Sequence, residues 1–94
     1  MIRVRPGVIL TRVCGQTILV AAFEAQKYCP YTTVLNDTGE MIWQCLSEGK
    51  DLPSIVSLMR ENFDIPEDTD VESLIEDYIR QLHENGYVLY EEDL

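Results

Sequence analysis

The chain of 94 residues predicts one α+β domain: a three-stranded antiparallel sheet, then a three-helix winged helix-turn-helix with a short C-terminal strand. Three observations point there. β-Branched runs with turn residues between them fill the first third of the sequence. At Asn36 the apolar period changes from 2 to 3.6. Three helical segments follow, each with its own start or stop signal, before a last β-rich stretch. The sheet half occupies 1–35, the helical half 36–90, and an acidic tail 91–94, all within a single domain spanning 1–94. A chain of this size buries roughly 60–70% of its unfolded surface, enough for one modest core.

Each element has a local reason. Val8–Val13 and Thr17–Ala21 flank Cys14-Gly15-Gln16 and read as a hairpin. Residues 22–30 read as a loop, and Tyr31–Leu35 as a third strand whose residues suit a pleated, half-buried surface. In the first helix Met41, Ile42, Cys45 and Leu46 share a face, and Gly49 ends it. Asn36 or Asp37 can cap its start, Asp37 with Glu40 three residues on. The second helix starts near Asp51 with Pro53 in its first turn and closes at Phe63. Thr69-Asp70-Val71-Glu72 reads as a capping box for the longest helix. The stripe of that helix is Val71, Leu74, Ile75, Tyr78 and Leu82, and Asn85-Gly86 stops it before the strand Tyr87–Tyr90.

Composition excludes several function classes. Net charge is −10, divided unevenly: residues 1–35 set four cations against one acid, residues 36–94 three cations against sixteen acids. Such a surface repels nucleic acid phosphates and anionic membranes. A winged-helix DNA reader would place its last helix in the major groove, yet Glu72, Glu76, Asp77 and Glu84 there face a lone Arg80. The start lacks the apolar stretch and cleavage site of a signal peptide, and no apolar run is long enough to span a bilayer, so a cytoplasmic location is expected. Cys14, Cys29 and Cys45 lack a C-x-x-C pair and read as reduced thiols; with His83 the one histidine, no metal site and no cofactor are expected.

Asp37-Thr38-Gly39 after two apolar residues is close to the catalytic signature of an aspartic protease. That chemistry needs an all-β setting and a partner Asp sharing one proton. Here an amphipathic helix follows at once, so the triplet reads as a helix N-terminus. Asp51-Leu52-Pro53-Ser54 is a faint likeness to the carrier serine of acyl carrier proteins, but Asp does not directly precede Ser54. No catalytic residue is expected. The chain reads as a binding module, not an enzyme.

One resemblance covers nearly the whole chain. Leu35-Asn36-x-Thr38-Gly39-x-x-Ile42-Trp43-x-x-Leu46 resembles the helix-opening motif of the PqqD-like family, the RiPP recognition elements. Ile55-Val56, Phe63-Asp64, Val71…Ile79-x-x-Leu82 and Gly86-Tyr87-Val88 continue the match, and Leu10-x-x-Val13-x-Gly15 is similar to one branch upstream. The resemblance implies a non-catalytic chaperone that captures the leader of a ribosomal precursor peptide by strand addition. It then presents that peptide to a modifying enzyme, often a radical S-adenosylmethionine (SAM) protein. A scaffold that regulates such an enzyme without holding peptide is the alternative; a winged-helix DNA-binding protein is more remote.

The physics of an exposed strand edge supports the same mode: unpaired N–H and C=O groups take an added strand, and neighbouring pockets read its alternate side chains. The expected peptide-binding residues are Tyr31, Thr32, Thr33 and Val34 on the strand, with Asp70, Leu74, Ile75, Asp77, Tyr78 and Ile79 from the third helix across the groove. Breaking the edge, as by Thr33→Pro, is expected to abolish leader binding. The same edge can pair with a second copy, so a monomer and a homodimer are both compatible with the sequence.

Overall fold

The computed structural model describes residues 2–27 and 32–90. Tyr31 of the expected third strand, Cys29 and Pro30 before it, and the acidic tail at 91–94 lie outside the described residues. The order is β1 (Ile2–Val4), β2 (Val8–Val13), β3 (Gln16–Ala21), a 3-10 turn (Phe23–Lys27), β4 (Thr33–Leu35), α1 (Asp37–Ser47), α2 (Leu52–Asn62), α3 (Val71–Glu84) and β5 (Val88–Tyr90). The architecture is α+β with three helices and antiparallel sheets. No described helix is long and apolar enough to cross a membrane.

Two sheets form, not one. β2, β3 and β4 make the expected antiparallel sheet in that order, while β5 pairs with β1, a strand the sequence did not signal. Ile2-Arg3-Val4 is only three residues long and sits before Pro6, and its partner Val88–Tyr90 lies at the other end of the described chain. Arg5 reinforces this closure: its N–H donates to the Tyr87 carbonyl at 2.8 Å, and its guanidinium Nε to the Gly86 carbonyl. Tyr87 thus precedes the last strand instead of opening it. The expected loop at 22–30 holds the short 3-10 turn.

The hairpin fixes the phase of the larger sheet. Cys14 and Gly15 both lie at positive φ, 52° and 78°, as a two-residue type I′ turn requires. In such a hairpin the flanking pair, Val13 and Gln16, exchanges hydrogen bonds, and bonded pairs then alternate along the ladder. The Ala22 N–H bonding the Gly7 carbonyl at 2.8 Å keeps that alternation to the far end. β3 therefore turns Thr17 and Leu19 towards β4, where they pair with Leu35 and Thr33. The N–H and C=O of Val34 are left pointing to the open edge.

Caps define the helices. At α1 it is Asn36, not Asp37, that caps: its Oδ1 accepts from the Gly39 N–H at 2.8 Å and from the Thr38 hydroxyl at 2.9 Å. At α2 Asp51, where the sequence starts the helix, is the cap and accepts from the Ser54 N–H at 3.0 Å. At α3 the cap is Asp70, not Thr69, because Ser73 supplies both its N–H (3.1 Å) and its hydroxyl (2.8 Å) to the two carboxylate oxygens. Thr69 instead offers its carbonyl to Arg60 at 2.8 Å, tying the end of α2 to the approach of α3. Bonds from Lys50 N–H to Cys45 carbonyl and from Tyr87 N–H to Leu82 carbonyl close α1 and α3 in Schellman fashion.

The core lies between the inner face of the larger sheet and the helices. Leu19, Leu35, Ile42, Trp43, Ile55, Ile75 and Val88 are buried there. The α3 stripe that reaches it is Val71, Ile75, Ile79 and Leu82. Leu74, placed on that stripe by the sequence, stays exposed, because it projects from the side of α3 and not from its inward face.

Candidate functional site

The site is built where β4 hands over to α1. β4 is short, and its anchorage comes from beneath: Leu35 is buried, and the Thr33 hydroxyl is 2.8 Å from the phenol of fully buried Tyr87. Val34, between them, faces the other way and is 59% exposed. One face of β4 is thus held by the core while its free edge stays open among the described residues.

The motif Asn36-x-Thr38-Gly39 now has a structural meaning. Asn36 caps the helix and holds Thr38, and Gly39 gives room to α3. A Cβ added at Gly39 would collide with the Tyr78 hydroxyl, so glycine lets that ring lie against the first turn of α1. Asp37, the would-be protease aspartate, is an exposed first-turn residue of this helix.

Beside this junction lies an apolar cavity of about 280 Å³, lined by Thr38 and Ile42 of α1, Met59 of α2, and Leu74, Ile75 and Tyr78 of α3. Its volume suits one or two apolar side chains. Burial pushes the Tyr78 phenol above its ordinary value. At the rim, hydrogen bonds from the Ser73 backbone and side chain hold the Asp70 carboxyl below the usual range. Asp77, also exposed, is paired with Arg80 at 3.1 Å.

The expected site residues thus fall in different settings. Thr32, Thr33 and Val34 lie on or next to the open edge, and Leu74, Ile75 and Tyr78 line the cavity. Asp70 is committed to capping. Ile79 is buried on the other flank of α3, where it lines a separate cavity with Ile2 and Leu52. Tyr31 lies outside the described residues. The sequence reading missed Thr38, Ile42 and Met59 as cavity residues and Tyr87 as the anchor of Thr33. The Thr-Gly pair beside an apolar helix was the one signal available for the first two. Nothing local marks Met59 or Tyr87.

His83, singled out as a solitary histidine, packs its ring against Tyr90 at 4.5 Å, with Nδ1 3.1 Å from the Val88 carbonyl. It serves the junction of α3 with β5. Cys45 is buried, which raises its thiol pKa, and Cys14 is exposed in the hairpin turn.

Comparisons with known proteins agree with this geometry. Residues 30–88 match the family described as coenzyme PQQ synthesis protein D (PqqD). Among solved structures, the chain is similar to a lasso peptide synthetase B1 complexed with the leader peptide: TM-score 0.76 and 25% identity, covering 95% of this chain and 98% of that one. It also shares its fold with TbiB1 in complex with the TbiA(beta) leader peptide: TM-score 0.73 and 21% identity, covering 92% and 93%. Among curated proteins, none matches.

Proposed function

The chain belongs to the PqqD family, and on that premise we propose that it is a leader-peptide-binding recognition element, non-catalytic itself, that presents a ribosomal precursor peptide to a modifying enzyme. The observation that carries the reading is the open edge at Val34, four residues before Thr38 of the α1–α3 cavity wall. The similar lasso peptide synthetase B1, solved with its leader peptide, supports it. In this reading α1–α3 and β5 form a winged helix-turn-helix frame turned to peptide capture, and the enzyme served is of the radical SAM type or another peptide-modifying class. The protein acts in the cytoplasm, and its edge strand takes the leader.

Energetics divide the work between backbone and pocket. β4 turns Val34, and Thr32 just before it, towards the open edge, so an added strand gains only a few backbone hydrogen bonds. At about 1 kcal/mol net each, those bonds supply about 3 kcal/mol. Micromolar affinity requires about 8 kcal/mol. The remainder must come from apolar side chains of the leader entering the cavity, each worth about 1.5–3 kcal/mol when fully buried. Specificity then resides in the cavity, and register in the strand. Asp77, exposed beside it, can exchange Arg80 for a basic residue of the leader.

An amide NMR titration with the leader encoded beside the gene tests this. Shifts concentrated at 32–39 and at Leu74 and Tyr78 are expected. Shifts confined to β2, or none at saturating leader, would overturn the reading.

A further inference from the structure

The α1–α3 cavity is apolar, but the residues adjoining its walls are acidic. Of the residues that line it, Thr38, Ile65, Val71 and Tyr78 are each directly preceded by an aspartate: Asp37, Asp64, Asp70 and Asp77. All four aspartates are exposed. Arg60 is the one cation adjoining a lining residue, and it donates to the Thr69 carbonyl at 2.8 Å. The opposite flank of α3 is different: the cavities there are lined by Lys50 and Arg80 as well as by Asp51 and Glu76. Helix starts account for Asp37, in the first turn of α1, and for Asp70, the cap of α3. They do not account for the other two. Asp77 sits in the middle of α3, and Asp64 directly follows the C-cap of α2, where a negative charge opposes the helix dipole.

An added strand meets this rim with a fixed period. Alternate side chains of an extended segment share one face. When one apolar side chain enters the cavity, its neighbours on that face are the residues two positions before and after it. A Lys or Arg at those positions is attracted by the rim, and an Asp or Glu is repelled. The helical half adds to the same field, with three cations against sixteen acids in residues 36–94. Arg80 does not block the exchange: its pair with Asp77 is exposed on both sides, and exposed pairs hold weakly.

We propose that this site selects a basic leader, one that carries Lys or Arg two residues from the apolar side chain filling the cavity, and that it rejects an acid there. The inference rests on the strand-addition reading above and names the class of peptide that the site takes. The probe is the fluorescently labelled leader encoded beside the gene, titrated by anisotropy at about 0.05 M and about 0.5 M salt. Between those conditions the screening length falls from about 14 Å to about 4 Å. The proteins are wild type, the double variant Asp64→Asn with Asp77→Asn, and Glu24→Gln, an exposed acid of the sheet half. At low salt the double variant should bind about fivefold more weakly than wild type, and at high salt the two should converge. Glu24→Gln should match wild type, and thermal unfolding should show all three folded. Alanine scanning of the leader finds the apolar anchor as the costliest position. Replacing the Lys or Arg two residues from it by Gln should weaken binding to wild type and cost nothing further in the double variant. Binding that ignores both salt and the aspartate changes, or an acid in place of the basic residue, would overturn the inference and leave strand addition standing. A leader that binds wild type at neither salt concentration would sink strand addition, and this inference with it.

Discussion

The larger sheet has two open edges, and the one that looks better suited to strand pairing is not the one with a site beside it. β2 is six residues long, while β4 has three. Yet β2 turns Val8, Leu10 and Arg12 to its free side, and the Val8 N–H is already taken by the Arg5 carbonyl at 3.2 Å. β4 offers fewer backbone groups but ends in the capped turn of α1, where Thr38 opens onto the cavity. Edge length supplies hydrogen bonds of about 1 kcal/mol each, whereas a filled pocket supplies more and reads sequence. In the proposed function, recognition therefore falls to the short edge.

The largest expected effect breaks that comparison directly. Because Val34 turns its N–H outward and its side chain to solvent, Val34→Pro removes an edge donor without costing a bond to β3. Leader binding measured by anisotropy should weaken about a hundredfold, about 2.7 kcal/mol, because the change also leaves the facing leader carbonyl unpaired, at a cost of about 1–3 kcal/mol beyond the bond itself. Arg12→Pro, the matching change on β2, should leave affinity within about twofold, since edge strands tolerate proline. The more obvious Thr33→Pro is a poorer probe: Thr33 bonds β3 and anchors Tyr87, so the fold would suffer with the site.

Next comes the wall of the cavity. Gly39→Ala sets a methyl against Tyr78, and overpacking of this kind costs about 1–3 kcal/mol. Urea unfolding should show the loss, and pairing the change with Tyr78→Phe, which removes the colliding oxygen, should recover part of it. Full stability in Gly39→Ala alone would mean that the Tyr78 ring moves aside from α1 without cost. Tyr87→Phe should cost about 1 kcal/mol, the net value of one hydrogen bond, and should speed amide exchange at β4 but not at β2.

On the β2 side, Cys14 occupies a left-handed position that favours Asn or Gly. Cys14→Asn should stabilise by about 0.5–1 kcal/mol in thermal melts and leave leader affinity unchanged. The smallest effect is a pH dependence. Burial raises Tyr78 in the folded state above its ordinary 10.0, so the fold holds that proton more tightly than the unfolded chain does. Its contribution is complete below pH 10.0 and is lost as pH rises through the folded value. Tyr78→Phe should flatten the alkaline limb of the stability profile by that contribution.

Much of this was legible in the sequence, and for identifiable reasons. Runs with a strong period or a cap announce themselves: Asn36 to Leu46, the Asp51 start of α2, and the Gly49 and Gly86 stops all stand where the residues put them. The caps chosen between neighbours were harder. Asn36 against Asp37 and Asp70 against Thr69 were decided by which side chain reached the N–H three residues on, a question of geometry that composition cannot answer. β1 escaped because three residues carry no period and its partner is remote in sequence. The cavity escaped for a related reason: it assembles from α1, α2 and α3, and a residue such as Met59 looks like ordinary core until the helices meet. The exposed Leu74 was placed near the groove and so was Tyr78, but Ile79, one position further on, turns to the opposite flank.

The most direct test leaves the protein untouched. Leader peptides carrying a single backbone N-methyl group, moved one residue at a time, would be titrated against the wild-type domain. If the leader adds as a strand to β4, methylation at every second residue of the bound segment should weaken binding sharply. The intervening positions should bind almost as the parent does. Uniform tolerance along the leader, or losses without a two-residue period, would contradict capture at the β4 edge.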